Sequence, residues 1–130
     1  MSVDSAPLVG VGTDLVSIAR IEAMLTRFGA KFLNRILTPN ERERLPQVRT
    51  AAYVAKRFAA KEAAAKALGT GIAQGITFQD FEVKNTPQGC PTLTLSNQAH
   101  NIAEKLGVKQ CFLSLSDEKV HALAFVVLTK

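Results

Sequence analysis

Residues 57–71 read Arg-Phe-Ala-Ala-Lys-Glu-Ala-Ala-Ala-Lys-Ala-Leu-Gly-Thr-Gly, and no other stretch constrains the fold as much. Alanine and straight-chain residues lose little rotamer freedom in a helix, so this run predicts one, starting near Thr50 and stopped by Gly69 and Gly71. At about 100° per residue, Val54, Phe58, Ala65 and Leu68 share an apolar stripe, with Glu62 and Lys66 one turn apart at its margin. A carboxylate is thereby placed at the rim of the core. Its plainest reading is an i, i+4 ion pair with Lys66, worth a few tenths of a kcal/mol, roughly, on an exposed helix.

A chain of 130 residues with 47% hydrophobic content suits a single domain spanning 1–130. Its longest uncharged apolar runs fall short of the roughly 20 residues that cross a bilayer. Residues 1–7 lack the basic start and apolar centre of a signal segment. The expectation is a soluble, cytoplasmic protein without a membrane partner. Cys90 and Cys111 have no C-x-x-C or histidine spacing, which points to reduced thiols rather than a disulfide or zinc site. A formal charge of +5 points to an anionic partner: nucleic acid, a phosphorylated small molecule or an acidic protein. Nucleic acid is disfavoured by the absence of Trp and of any interleaved basic and aromatic motif.

Residues 8–11 read as a short buried strand with Asp14 at its end, the neighbouring glycines allowing close backbone approach. Gly10-x-Gly12 lacks the third glycine of a dinucleotide fingerprint. Ser17 caps a predicted helix over 18–28 with Ile18, Ile21, Leu25 and Phe28 on its buried face. Its other face carries Arg20 and Arg27, Lys31 if the helix passes Gly29, and Met24 beside them, a stripe whose commoner meaning is a solvated basic face. Thr38-Pro39-Asn40-Glu41 is a capping box for a short helix through Arg44. Residues 77–84 and 91–95 read as a hairpin, and Ser96 as the cap of a helix carrying Ala99, Ile102, Ala103 and Leu106 that Gly107 ends. Residues 110–116 and 121–129 form a second hairpin. The order predicts an α+β fold, helices packed on one side of a small antiparallel sheet, with residues 1–6 and the last residue frayed.

Gly12-Thr13-Asp14 together with Phe58-x-x-Lys61-Glu62-Ala63-x-x-Lys66 resembles the holo-acyl-carrier-protein synthase family, the 4'-phosphopantetheinyl transferases. Gly69-Thr70-Gly71 and Phe78-Gln79-Asp80 also fit, and the resemblance spans about residues 8–128. It implies the 4'-phosphopantetheinyl transferase fold and transfer of the phosphopantetheine arm of coenzyme A to a serine of apo acyl-carrier protein, in fatty acid biosynthesis. Asp14 and Glu62 would bind Mg²⁺, consistent with that ion's preference for one or two carboxylates and several waters. Lys66 would contact the diphosphate, and the serine proton would pass to Glu62 or to a metal-positioned water. The resemblance further implies coenzyme contacts from Arg57, Lys66, Gly69, Thr70, Gly71 and Ser116, and carrier-protein docking on Arg20, Met24, Arg27, Phe28 and Phe32. Family members are homotrimers with sites between subunits, so the turn near Ser116 would serve a neighbouring chain. Many members have histidine where this chain has Asp117, and no coenzyme contact is assigned to it; His100 and His121 match no functional position. The same Asp14, Glu62 and Lys66 would also suit another Mg²⁺-dependent enzyme acting on a phosphorylated small molecule, and the net charge a basic nucleic-acid-binding module.

Overall fold

A computed structural model describes residues 7–130. The chain runs β1 (Leu8–Ser17), α1 (Ile18–Phe28), α2 (Ala30–Ile36), α3 (Pro39–Glu43), α4 (Thr50–Ala67), a 3₁₀ turn (Phe78–Asp80), β2 (Phe81–Asn85), β3 (Pro91–Leu95), α5 (Asn97–Leu106), β4 (Gln110–Asp117) and β5 (His121–Thr129). Strands β1, β5 and β4 form an antiparallel sheet in that order, and β2 and β3 a separate hairpin. The α+β reading holds. The fraying expected of residues 1–6 lies outside the described residues, whereas Lys130 is held by its backbone N–H on Pro7 O at 2.9 Å.

Helix α4 is the axis of the core, and it is enclosed on more sides than one stripe allows. Val54, Ala55, Ala59, Ala60, Ala63 and Ala65 are all buried. Alanine makes this possible, since it lets neighbouring backbones come close at no side-chain entropy cost. On β1 the partners are glycines: a Cβ at Gly10 would lie 1.9 Å from Ala67 O, and one at Gly12 1.9 Å from Ala63 O. On β5, Ala122, Ala124, Val126 and Leu128 complete the inner layer of the sheet, all fully buried. The opposite face is a different surface, with Val11, Leu15, Phe112, Leu123 and Phe125 exposed.

Several local expectations are corrected. Strand β1 continues to Ser17, so Asp14 sits within it, paired with Ala124, rather than at its end. Pairing with β5 along the whole length carries the strand beyond its apolar start. Helix α1 has the predicted bounds and Ser17 cap, with Ser17 Oγ accepting from Arg20 N at 3.2 Å, but Phe28 is exposed and only Ile21 is fully buried. Gly29, at φ 54°, breaks the helix, so Lys31 belongs to α2 and leaves the basic face of α1. Residues 78–80 form the 3₁₀ turn instead of strand. The cap of α5 comes from that turn: Asp80 Oδ2 accepts from Ala99 N at 3.2 Å, while the Ser96 hydroxyl donates to Asp80 O. Of the apolar residues on α5, Ala99 and Ala103 are buried and Leu106 is exposed.

Candidate active site

The site follows from the glycine contacts. Because Gly10 and Gly12 carry no Cβ, α4 lies directly on β1, and the next inward-pointing residue of the strand, Asp14, arrives beside the last turns of the helix. Lys66 Nζ lies 3.2 Å from Asp14 Oδ1 and donates to Thr13 O at 3.0 Å. Lys66 therefore reaches across to the strand. The expected Glu62–Lys66 ion pair is not formed: the local helix rule loses to a carboxylate and a carbonyl that the close approach brings within reach.

Two features show that the carboxylates there are poorly satisfied. Asp14 Oδ2 is buried with no hydrogen-bond partner. The Glu62 carboxyl is pushed above its ordinary value, first by burial and then by the charge of Asp14, with Lys66 pulling the other way. Such a pair of carboxylates suits a hard divalent cation. Among the described residues no group of three His, Cys, Asp or Glu side chains is placed to hold a metal, so water would complete the shell, as Mg²⁺ tolerates.

Asp14, Glu62 and Lys66 line a cleft of about 570 Å³. Arg20, Met24 and Phe32 line it too, although Phe32 is itself largely buried and forms wall rather than surface. Arg27 and Phe28 lie outside the cleft, exposed at the far end of α1, with the guanidinium 5.1 Å from the ring centroid. Arg57 also lies elsewhere, buried with its guanidinium 3.7 Å from the Tyr53 ring centroid and its Nε without a partner. Gly69, Thr70 and Gly71 form the turn after α4, where Thr70 N and Gly71 N donate to Ala65 O. Ser116 is exposed on β4, opposite Leu123 on the outer face of the sheet. Asp117 holds Arg49 at 3.1 Å and Lys56 at 3.4 Å.

His121 is a cleft residue that local sequence patterns do not mark. It pairs with Ser17 across β1 and β5, and its Nδ1 lies 3.1 Å from Glu118 Oε1. Only the strand register reveals it.

The profile of the 4'-phosphopantetheinyl transferase superfamily matches residues 10–126, nearly the whole of this architecture. The chain belongs to that superfamily. It is 54% identical over 123 residues to the holo-[acyl-carrier-protein] synthase of Alkalilimnicola ehrlichii, covering 93% of this chain and 96% of the relative. With the enzyme of that name from Vibrio cholerae (strain ATCC 39541) it shares 49% identity over 124 residues, covering 95% and 98%. Solved structures agree with the fold. The holo-[acyl-carrier-protein] synthase of Neisseria meningitidis superposes with a TM-score of 0.88 at 42% identity, covering 95% of this chain and 99% of that one. The synthase of Bacillus anthracis, solved in complex with CoA (3',5'-ADP), gives 0.79 at 42% identity, covering 96% and 99%. In this chain Asp14, Phe58, Glu62 and Lys66 line one cleft.

Proposed function

We propose that this protein is a holo-[acyl-carrier-protein] synthase, an enzyme that moves 4'-phosphopantetheine from coenzyme A to a serine of apo acyl-carrier protein in fatty acid biosynthesis. The observation that carries the reading is the meeting of Asp14, Glu62 and Lys66 in one cleft, beside the basic helix α1, in a chain with these relatives. The serine oxygen attacks the phosphorus of the pantetheine phosphate, the bond to the adenosine-side phosphate breaks, and adenosine 3',5'-bisphosphate leaves. Asp14 and Glu62 hold Mg²⁺, which when bound neutralises charge on the diphosphate. Lys66 supplies a mobile cation to the oxygen on which charge develops. The serine proton passes to a Glu62 oxygen or to a water beside it. Arg20, Met24 and Phe32 shape the side from which the carrier protein enters, and Arg27 and Phe28 extend its docking surface along α1.

The described residues close around one core, which supports reading the chain as one transferase domain. Arg57, Gly69, Thr70, Gly71 and Ser116 bind coenzyme A in a homotrimer, where the turn near Ser116 serves a neighbouring subunit. The exposed apolar face of Val11, Leu15, Phe112, Leu123 and Phe125 supports self-association, because monomers rarely expose contiguous patches of that kind. Ser116 lies on this same face. The partners are coenzyme A and an acidic carrier protein rather than nucleic acid, and the enzyme works in the cytoplasm. No described helix is long and apolar enough to cross a membrane.

Incubation with apo carrier protein, coenzyme A and Mg²⁺, read by mass spectrometry, tests the reading. A carrier protein heavier by one phosphopantetheine supports it. An unmodified carrier protein, with binding of oligonucleotides or turnover of another phosphorylated compound, would replace it.

A further inference from the structure

The motif lysine next to Glu62 lies outside the cleft. Lys61 Nζ donates to Glu41 Oε1 and to Ile36 O, both at 2.6 Å, and the two charged side chains are enclosed, with 0% and 1% exposure. Glu41 is saturated further, accepting from Thr38 N through Oε1 and from Val83 N through Oε2, each at 2.8 Å. One ion pair thus joins α4 to the end of α2, the start of α3 and β2.

The contact of α4 with β1 has the opposite character. Ala63 and Ala67 meet Gly12 and Gly10 there, and neither glycine has a side chain to interlock with the helix. Helices are fixed against their neighbours by ridges of side chains seated in grooves, and this contact has none from the strand at Gly10 and Gly12. It allows close approach but resists rotation and sliding poorly. At about 100° per residue, Ala63 and Ala67 lie roughly 200° and 240° around the helix from Lys61, so the directional bonds act on the side away from the smooth one.

We propose that Lys61 is a positioning residue: its bonds to Glu41 and Ile36 set the rotation and height of α4 over β1, and so keep Glu62 beside Asp14. It rests on the reading of Glu62 given above. The same bonds anchor α2, whose Phe32 walls the cleft. Stability alone does not call for this arrangement, since buried ion pairs exchanged for apolar groups of similar volume are often no less stable.

The test compares the parent with Lys61→Met and with the double variant Glu41→Gln/Lys61→Met, each at a temperature where circular dichroism shows it folded. Two quantities are read: kcat at saturating substrates, and the Mn²⁺ dissociation constant without substrates, by electron paramagnetic resonance of the free ion. Both variants are expected to lose at least about tenfold in each, as small misplacements of reacting groups do, while the double variant regains part of the melting temperature lost by the single one. Either folded variant holding both quantities within about threefold of the parent overturns the proposal, leaving the ion pair as a stability device. Glu62→Gln, measured alongside, separates the layers. Full turnover in that variant removes the reading of Glu62 and this inference with it, whereas lost turnover beside parent-like Lys61 variants removes the inference alone.

Discussion

Lys66 and Asp14 are 52 residues apart in the chain and 3.2 Å apart in the fold, and their pairing leaves Glu62, one helical turn from Lys66, to feel that ammonium only at longer range. Two carboxylates therefore share one half-exposed ammonium. Alanine at Asp14 or at Glu62 is expected to abolish Mg²⁺-dependent turnover while the fold survives, because each change removes a charged group at the edge of a cleft and opens no apolar cavity. Phosphopantetheinylation assays with melting curves check it; folded variants with near-normal rates would sink the metal assignment.

The raised Glu62 carboxyl makes a prediction about stability with the sign opposite to that of most acidic groups. Burial and then the charge of Asp14 lift it above its ordinary value. A lifted carboxyl favours the native state when protonated, so its contribution is present below the ordinary glutamate value and is lost as pH rises through the raised one. Without metal, Glu62→Gln should melt above the parent at pH 7, and the gap should close as pH falls towards about 4. Adding Mg²⁺ should reverse the order, since the parent alone gains a bound ligand. Superimposable metal-free melting curves at pH 7 would show that the Glu62 carboxyl is not lifted in the fold.

Gly12→Ala tests the contact on which the site is built. The added methyl would stand 1.9 Å from Ala63 O, a backbone atom that cannot swing aside, so α4 must lift from β1. A stability loss near the upper end of the usual overpacking range, about 1–3 kcal/mol, is expected from denaturant unfolding. The loss in kcat should be larger than that figure suggests, since Asp14 and Glu62 separate. A variant with parent-like kcat would mean that the approach is not needed for chemistry.

Where the controlling interactions are local, the chain is readable. The bounds of α1, the capping box ahead of α3 and the start of α4 at Thr50 rest on caps, Pro39 and alanine, all acting within a few residues. The misreadings have distant partners. Strand β1 is carried on to Ser17 by β5, α5 is capped by Asp80 from the preceding turn, and Lys66 is drawn to Asp14 by glycines that let two elements touch. His121 enters the cleft through strand register alone, which has no signature around residue 121. The residues proposed to carry the chemistry are legible as motif members; their partners in the fold are not.

Reversing the charge of Arg20 and Arg27 is expected to raise KM for the carrier protein while leaving coenzyme A binding almost intact, because both side chains belong to the exposed face of α1. The effect should shrink as salt rises, since exposed charges are screened over about 10 Å at 0.1 M ionic strength. Arg20 should matter more than Arg27, because it alone lines the cleft. Steady-state kinetics at two ionic strengths decide the matter. Equal losses for both substrates would assign this helix to the coenzyme site instead.

Lys66→Ala separates a surface ion pair from a group that acts on the reaction. If pairing with Asp14 is its whole role, the variant loses at most about 1 kcal/mol of stability, the range of exposed pairs, and keeps its rate. If Lys66 stabilises charge on the opening diphosphate, kcat should fall about 10²–10³-fold with little change in melting temperature, the loss usual for removing one such donor. The geometry adds a second readout. Lys66 Nζ occupies Asp14 Oδ1, the carboxylate assigned to the cation, so before substrate arrives the ammonium competes with metal for that oxygen. Lys66→Ala should therefore bind Mn²⁺ more tightly than the parent in the absence of coenzyme A, and yet turn over more slowly. Lys66→Arg keeps the charge but spreads it over a planar fork, and should retain part of the activity. A kcat for Lys66→Ala within about threefold of the parent would return Lys66 to the role of a surface partner and leave Asp14 and Glu62 to carry the chemistry.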